Sequence, residues 1–298
     1  MSTRWPPHIR PWIARSISHG CAGRASKSSI PFTFRPVPGA TCRAAGKRCC
    51  STAAGIGWRC SLVQPLEWRP IAKYSRAGLA LLWVQEVLRS GHDLLMRSHA
   101  RDLAAQPRGF GAIDMQLFRQ CPCPVWAVGP GATGAPRRIL AAVHANPDDE
   151  DEQRLNGKII DLALSLAALQ NASVVLFQAW TAFGEELLRS RHSPTDLDAY
   201  VEAAETAATS ALESLASSLG DRAAQVRLEL RKGHPEEVIP EYVVSEGIDL
   251  VVMGTVARTG ISGLVIGNTA ERLLQRLVSS VIAVKPDGFV SSIRAGDA

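Results

Sequence analysis

Residues 249–271 read Asp249-Leu-Val-Val-Met-Gly254-Thr-Val-Ala-Arg-Thr-Gly260-Ile-Ser-Gly263-Leu-Val-Ile-Gly267-Asn-Thr-Ala270-Glu. An apolar run empties into a glycine-rich loop that opens a helical pattern, an order suited to holding an anion. A buried strand ending at Met253 delivers the chain, and glycines let the backbone come close to a phosphate. Asn268 and Thr269 stand where the first free amides and the positive end of a helix dipole point. Two familiar phosphate loops are excluded, because no Gly-Lys-Ser/Thr follows the glycines and Gly-x-Gly-x-x-Gly is absent. A plain glycine-rich link between strand and helix is the competing reading.

The elements that must position this loop alternate in type. Ile139 to Val143 is a short apolar strand, and helical periodicity follows from about Glu152 to Leu169. That helix carries Leu155, Ile159, Ile160, Leu162, Ala163 and Leu166 on one face and an acidic run, Asp148 to Glu152, at its positive end. Ser173 to Gln178 and Val226 to Leu230 read as strands on either side of a long helix, about Asp196 to Leu219, which Gly220 ends. Gly233-His-Pro enters a further helix. Asp249 to Met253, a helix from about Asn268 to Leu277, and the strand Val281 to Val284 complete five strands. The pattern predicts an α/β fold in which an open, parallel five-stranded sheet carries helices on both faces and a ligand site at the carboxyl ends of its strands.

The loop resembles the ligand loop of the universal stress proteins, in which a glycine, two residues, a glycine, nine residues and a glycine followed by serine or threonine wrap the ribose and phosphates of ATP. Gly254 and Gly267 fall on the first and third glycines. Ala257 stands at the second and Asn268 at the hydroxyl position. An alanine methyl costs about 1 kcal/mol where positive φ or close phosphate contact is needed. The resemblance spans about Arg137 to Lys285 and implies strand order 3-2-1-4-5. It implies a nucleotide site of Val143 and His144 toward the base and Gly254, Val256, Ala257, Arg258, Gly267, Asn268 and Thr269 toward the phosphates. The ligand it implies is ATP or another adenine nucleotide, with Mg. His144 takes a place where family members carry an aspartate, exchanging a fixed negative charge for a ring that titrates near neutrality.

The chain also repeats itself at an offset of 156. Asp93-Leu-Leu-Met matches Asp249-Leu-Val-Val, Gly111 matches Gly267, and Val125-Trp-Ala-Val128 matches Val281-Ile-Ala-Val284. The expectation is a tandem-domain member: a partial first domain over 84–130, a linker over 131–136, a complete domain over 137–286 and a tail over 287–298. Subtracting the offset from Arg137 gives a start before Met1, so the first domain is incomplete. Residues 1–83 carry 13 Lys/Arg against the single acid Glu67, with five of seven cysteines and five of seven tryptophans, whereas the rest holds 20 basic against 27 acidic residues. That break predicts a disordered or out-of-frame segment over 1–83, so the +5 net charge says little about partners. A transit peptide and a nucleic-acid-binding arm explain it less well, since amphipathicity and recognition motifs are lacking.

Other chemistry is sparse. No nucleophile elbow or triad pattern accompanies His192, His234 or the serines, so no catalytic residue is assigned, and no metal site. The acidic run reads as a helix cap. Cys121 and Cys123 flank Pro122 in a loop leading to a strand. No apolar run approaches the roughly 18 residues of a membrane span, and cytoplasmic location is the default. The expected role is a stress-response nucleotide-binding protein that signals through association, as a homodimer or by internal tandem pairing along Val281 to Val284. A scaffold or receptor for another ligand and a weak nucleotide-hydrolysing enzyme are the alternatives.

Overall fold

The computed structural model describes residues 32–36, 43–44, 47–48, 58–62, 76–98, 109–129, 132, 134–189, 194–255 and 266–294. Four short strands come first: β1 (Phe32–Pro36), β2 (Arg43–Ala44), β3 (Lys47–Arg48) and β4 (Trp58–Leu62). Helix α1 (Arg76–Ser90) crosses the 83/84 joint that composition suggested and buries Ala80, Val84 and Val87. Strand β5 (Leu95–Ser98), helix α2 (Ala112–Gln120) and strand β6 (Val125–Val128) follow.

The second half holds β7 (Arg138–Ala142), α3 (Glu150–Gln170), β8 (Ser173–Trp180), a short α4 (Glu185–Arg189), α5 (Pro194–Ser217), β9 (Val226–Lys232), α6 (Pro235–Ser245), β10 (Leu250–Gly254), α7 (Asn268–Arg276) and β11 (Ser280–Val284). Pro235 opens α6, where a missing N–H costs nothing. Within this half the strands run β11-β10-β7-β8-β9 and every neighbouring pair is parallel, which is the order 3-2-1-4-5.

The count of five strands needs correcting. Among the described residues the sheet runs β4-β1-β5-β6-β11-β10-β7-β8-β9, nine strands. The outer edge of β11 would present unpaired amides and carbonyls, and β6 takes them up antiparallel, with Ile282 opposite Trp126. β5 is parallel to β6, and β1 pairs antiparallel with β5. The offset of 156 survives in the backbone: α2 shifted by 156 is 268–276, the bounds of α7, and the bond from Cys121 N–H to the Leu117 carbonyl recurs between Leu277 and Leu273.

Alternation along the strands feeds two cores, one on each face. Leu140, Val251, Met253, Val281 and Ala283 pack under α1, α2, α6 and α7, while Ile139, Ala141, Leu250, Val252 and Ile282 pack under α3 and α5. The stripe read on α3 is the buried one. Burying each of Ile159, Ile160, Leu162 and Leu166 contributes about 1.5–3 kcal/mol. Helices thus cover both faces of the parallel strands.

Candidate functional site

β7 and β10 lie side by side with Ala142 opposite Met253, so the chain leaves the sheet at Val143 and Thr255 from neighbouring strands. Val143 is buried and donates its N–H to the Phe177 carbonyl at 3.0 Å. The next two residues are held by buried amide side chains. Asn156 accepts the His144 N–H at 3.3 Å and donates to the His144 carbonyl at 2.7 Å, and Gln178 accepts the Ala145 N–H at 3.0 Å. Both side chains make up for the ladder bonds a strand loses where it ends.

The imidazole of His144 does not stand free. Its Nδ1 lies 2.9 Å from Glu152 Oε2, with the ring 43% exposed and the carboxylate 14%. A carboxylate at that distance accepts a hydrogen bond from a protonated Nδ1. Asp149 rather than Glu152 marks the helix start: its carboxylate accepts the Glu152 N–H at 3.0 Å as an N-cap. Among the described residues no three His, Cys, Asp or Glu side chains gather as a metal site.

Gly254 lacks a positive φ. A Cβ there would lie 2.8 Å from Leu155 Cδ2, so an added methyl requires the Leu155 side chain on α3 to shift. Thr255 follows, fully buried, and its carbonyl accepts the Gly267 N–H at 3.0 Å. A single hydrogen bond therefore joins the beginning and the end of the glycine loop. Val256, Ala257 and Arg258 lie outside the described residues. Gly267 caps α7 in ordinary extended backbone, φ −61° and ψ 142°, with no side chain bonded at the cap. Asn268 and Thr269 are exposed beyond it. Glu271, on the same first turn, pairs with Arg119 at 2.5 Å, which draws its negative charge toward α2.

Lys285 was not anticipated by the sequence. It is 5% exposed, yet its Nζ donates to Thr255 Oγ1 at 2.8 Å, to the Phe118 carbonyl and, at 3.5 Å, to the Arg119 carbonyl. Those carbonyls end α2, where a helix dipole favours a cation. Burial nevertheless pulls the amine from 10.5 down to about 8. One lysine thus ties the last turn of the first half to the residue that closes the glycine loop of the second.

The strand-end residues and the two loop glycines come together, while sequence reasoning missed Glu152, Leu155, Asn156, Thr255 and Lys285. Asn156 left a signal, a polar residue within the apolar face of α3. Replacing it with leucine is expected to lower stability by about 2 kcal/mol, because the His144 N–H and carbonyl lose partners that water reaches only in part. Urea unfolding measures this, and a loss under about 0.5 kcal/mol would count against the role given to Asn156.

The family model for the universal stress protein family matches residues 137–285. Universal stress protein E of Escherichia coli K12 is 29% identical over 214 residues, covering 72% of this chain and 67% of that protein. The homolog from Haemophilus influenzae is 30% identical over 218 residues, covering 68% and 65%. Both alignments are longer than 137–285. Among solved structures, a functionally unknown protein from Pseudomonas aeruginosa PAO1 superposes with a TM-score of 0.56 at 28% identity, over 70% of this chain and 69% of the other. Fold and family match agree, and the chain belongs to the universal stress protein family.

Proposed function

We propose that the second half binds an adenine nucleotide such as ATP at the carboxyl ends of β7 and β10. The phosphates lie against Gly254, Val256, Ala257, Arg258, Gly267, Asn268 and Thr269, and the base lies toward Val143 and His144. The observation that carries this is the Thr255–Gly267 hydrogen bond, which sets both ends of the glycine loop against the N-terminus of α7, beside β7, which leads into His144. Among the described residues nothing accepts from the Asn268, Thr269 or Ala270 N–H groups, and amides of this kind bind anions. A magnesium ion arriving with ATP would be carried by the phosphate oxygens. We assign no catalytic residue and place the protein in the cytoplasm; no helix among the described residues is long and apolar enough to cross a membrane.

Signalling then runs through association, which we read as internal. β11 is flanked by β10 and β6, so a second copy could pair along it only by displacing β6. Lys285 gives the loop a path to that seam. One observation favours a second reading, a receptor for some other ligand: the group nearest the base is already engaged with Glu152.

Isothermal titration of the full chain with ATP, Mg-ATP, ADP and AMP decides between them. Binding tighter than roughly 100 μM, about 5.5 kcal/mol, is expected, with nucleotide recovered unhydrolysed and binding lost in Gly267→Val. Valine adopts the backbone angles of Gly267 readily, so unchanged circular dichroism is expected of that variant. No heat with any of the four nucleotides would overturn the nucleotide reading and leave the receptor.

A further inference from the structure

The turn from α2 into β6 carries two thiols that the nucleotide site does not use. Cys121 caps α2, and Cys123, one proline later, precedes β6; both are buried, both are free, and their sulfurs lie 3.5 Å apart. The equivalent turn in the second half, 156 residues on, is Leu277-Val278-Ser279. Leu277 N–H donates to the Leu273 carbonyl at 3.0 Å, as Cys121 N–H does to the Leu117 carbonyl at 2.9 Å. The fold therefore builds this turn without sulfur.

Three features suit the pair to a two-electron exchange. A disulfide is about 2.0 Å long, so the sulfurs need close by only about 1.5 Å. Pro122 fixes φ between them, which limits the freedom lost when the ring forms. A cleft of about 540 Å³, lined by His92, Asp93, Cys123, Lys158, Lys285 and Phe289 among others, brings solvent to Cys123, while Cys121 is sealed behind it. The hydrogen bond with Cys121, and then burial, push the Cys123 thiol well above its ordinary range.

We propose that Cys121 and Cys123 are a reversible oxidation site that closes to a disulfide on exposure to a hydroperoxide. One sulfur gives up its proton and attacks the peroxide oxygen, breaking the O–O bond; with hydrogen peroxide this leaves a sulfenic acid and water. The second sulfur then displaces the hydroxyl as a second water, forming S–S. Two thiols lose two hydrogens and two electrons, and one hydrogen peroxide becomes two waters. A thiol reductant reverses the step. The pair sits in the turn that ends α2, whose last carbonyls hold Lys285, so the seam between the halves is where an oxidant is recorded.

Trypsin sets up a clean test, because cleavage after Arg119 and Arg137 releases residues 120–137 with both thiols and no other cysteine. The full chain, reduced and desalted, is treated with hydrogen peroxide at a dose that oxidises a free-thiol standard, then denatured, alkylated and digested. The expected peptide is unalkylated and lighter by two hydrogens, and it becomes doubly alkylated when dithiothreitol precedes alkylation. In Cys123→Ser no such peptide forms. A doubly alkylated peptide after peroxide would overturn the proposal, as would either cysteine crosslinked to Cys21, Cys42, Cys49, Cys50 or Cys60, or irreversible oxygen addition in place of the bond.

Discussion

Replacing Asp114 with alanine is expected to destabilise the chain by about 3–5 kcal/mol, one of the two largest effects anticipated for a single substitution. Asp114 is 2% exposed on the first turn of α2. Its Oδ2 accepts the Gly111 N–H at 3.2 Å and its Oδ1 meets the guanidinium of Arg97, which is buried on β5. Burial lowers the Arg97 guanidinium to about 10, and it lies 5.8 Å from the centre of the Trp83 ring. Deleting the carboxylate strands a cation among apolar neighbours and removes the cap contact at Gly111. Arg97→Met leaves the buried carboxylate without its cation. The double replacement Arg97→Met/Asp114→Leu removes both charges together and should recover most of the loss. Urea unfolding of all four proteins gives the coupling, and a single-mutant cost under about 1 kcal/mol would sink the argument.

That ion pair also separates the two halves chemically. At an offset of 156, Arg97 corresponds to Met253 and Asp114 to Ala270, so the second half fills the same places without charge. The N–H of Gly111 goes to a carboxylate on its own helix, whereas the N–H of Gly267 closes the glycine loop through Thr255. α2 thus has a buried anion at its N-terminus, whereas the first-turn carboxylate of α7, Glu271, is paired with Arg119. A single nucleotide per chain follows from the proposed site, and the same titration that tests the site reads this as its stoichiometry.

How far the fold could be read in the sequence depended on where the information sits. Periodicity placed α3, α6, α7 and the strands of the second half to within a few residues, because each helix has one buried face, the inner strands are short runs buried on both, and Pro235 marks the start of α6. The short helix α4 buries none of its residues and so left no periodic trace. β1 escaped because its place comes from pairing with distant partners: it pairs with β5, some sixty positions on. The glycine loop announced the site, since close approach leaves its mark on residue type. What holds that site did not announce itself. Asn156 and Lys285 act on groups 12 and 30 positions away, His144 and Thr255 among them, and such pairings exist only once the sheet is assembled.

Lys285 gives the second large effect, and its sign can be worked out. The unfolded chain holds this amine near 10.5 and the folded chain near 8. Below about pH 8 both states carry the proton, and the folded one keeps the charge against the pull of burial. Between about 8 and 10.5 the folded state has released the proton while the unfolded state retains it, so raising the pH favours folding. At about 1.4 kcal/mol per pH unit the full gap corresponds to about 3 kcal/mol. Other lysines, tyrosines and cysteines titrate in the same window, so the quantity to follow is the stability of the wild-type chain minus that of Lys285→Met. From about pH 7 to about pH 10 this difference is expected to move by about 2 kcal/mol in favour of the wild type, read from urea midpoints at each pH. A flat difference would mean that the carbonyls of Phe118 and Arg119 and the Thr255 hydroxyl fully offset burial of the charge. A rising one makes the lysine a cation held at a cost, kept where α2, Thr255 and β11 meet for the contacts it makes there.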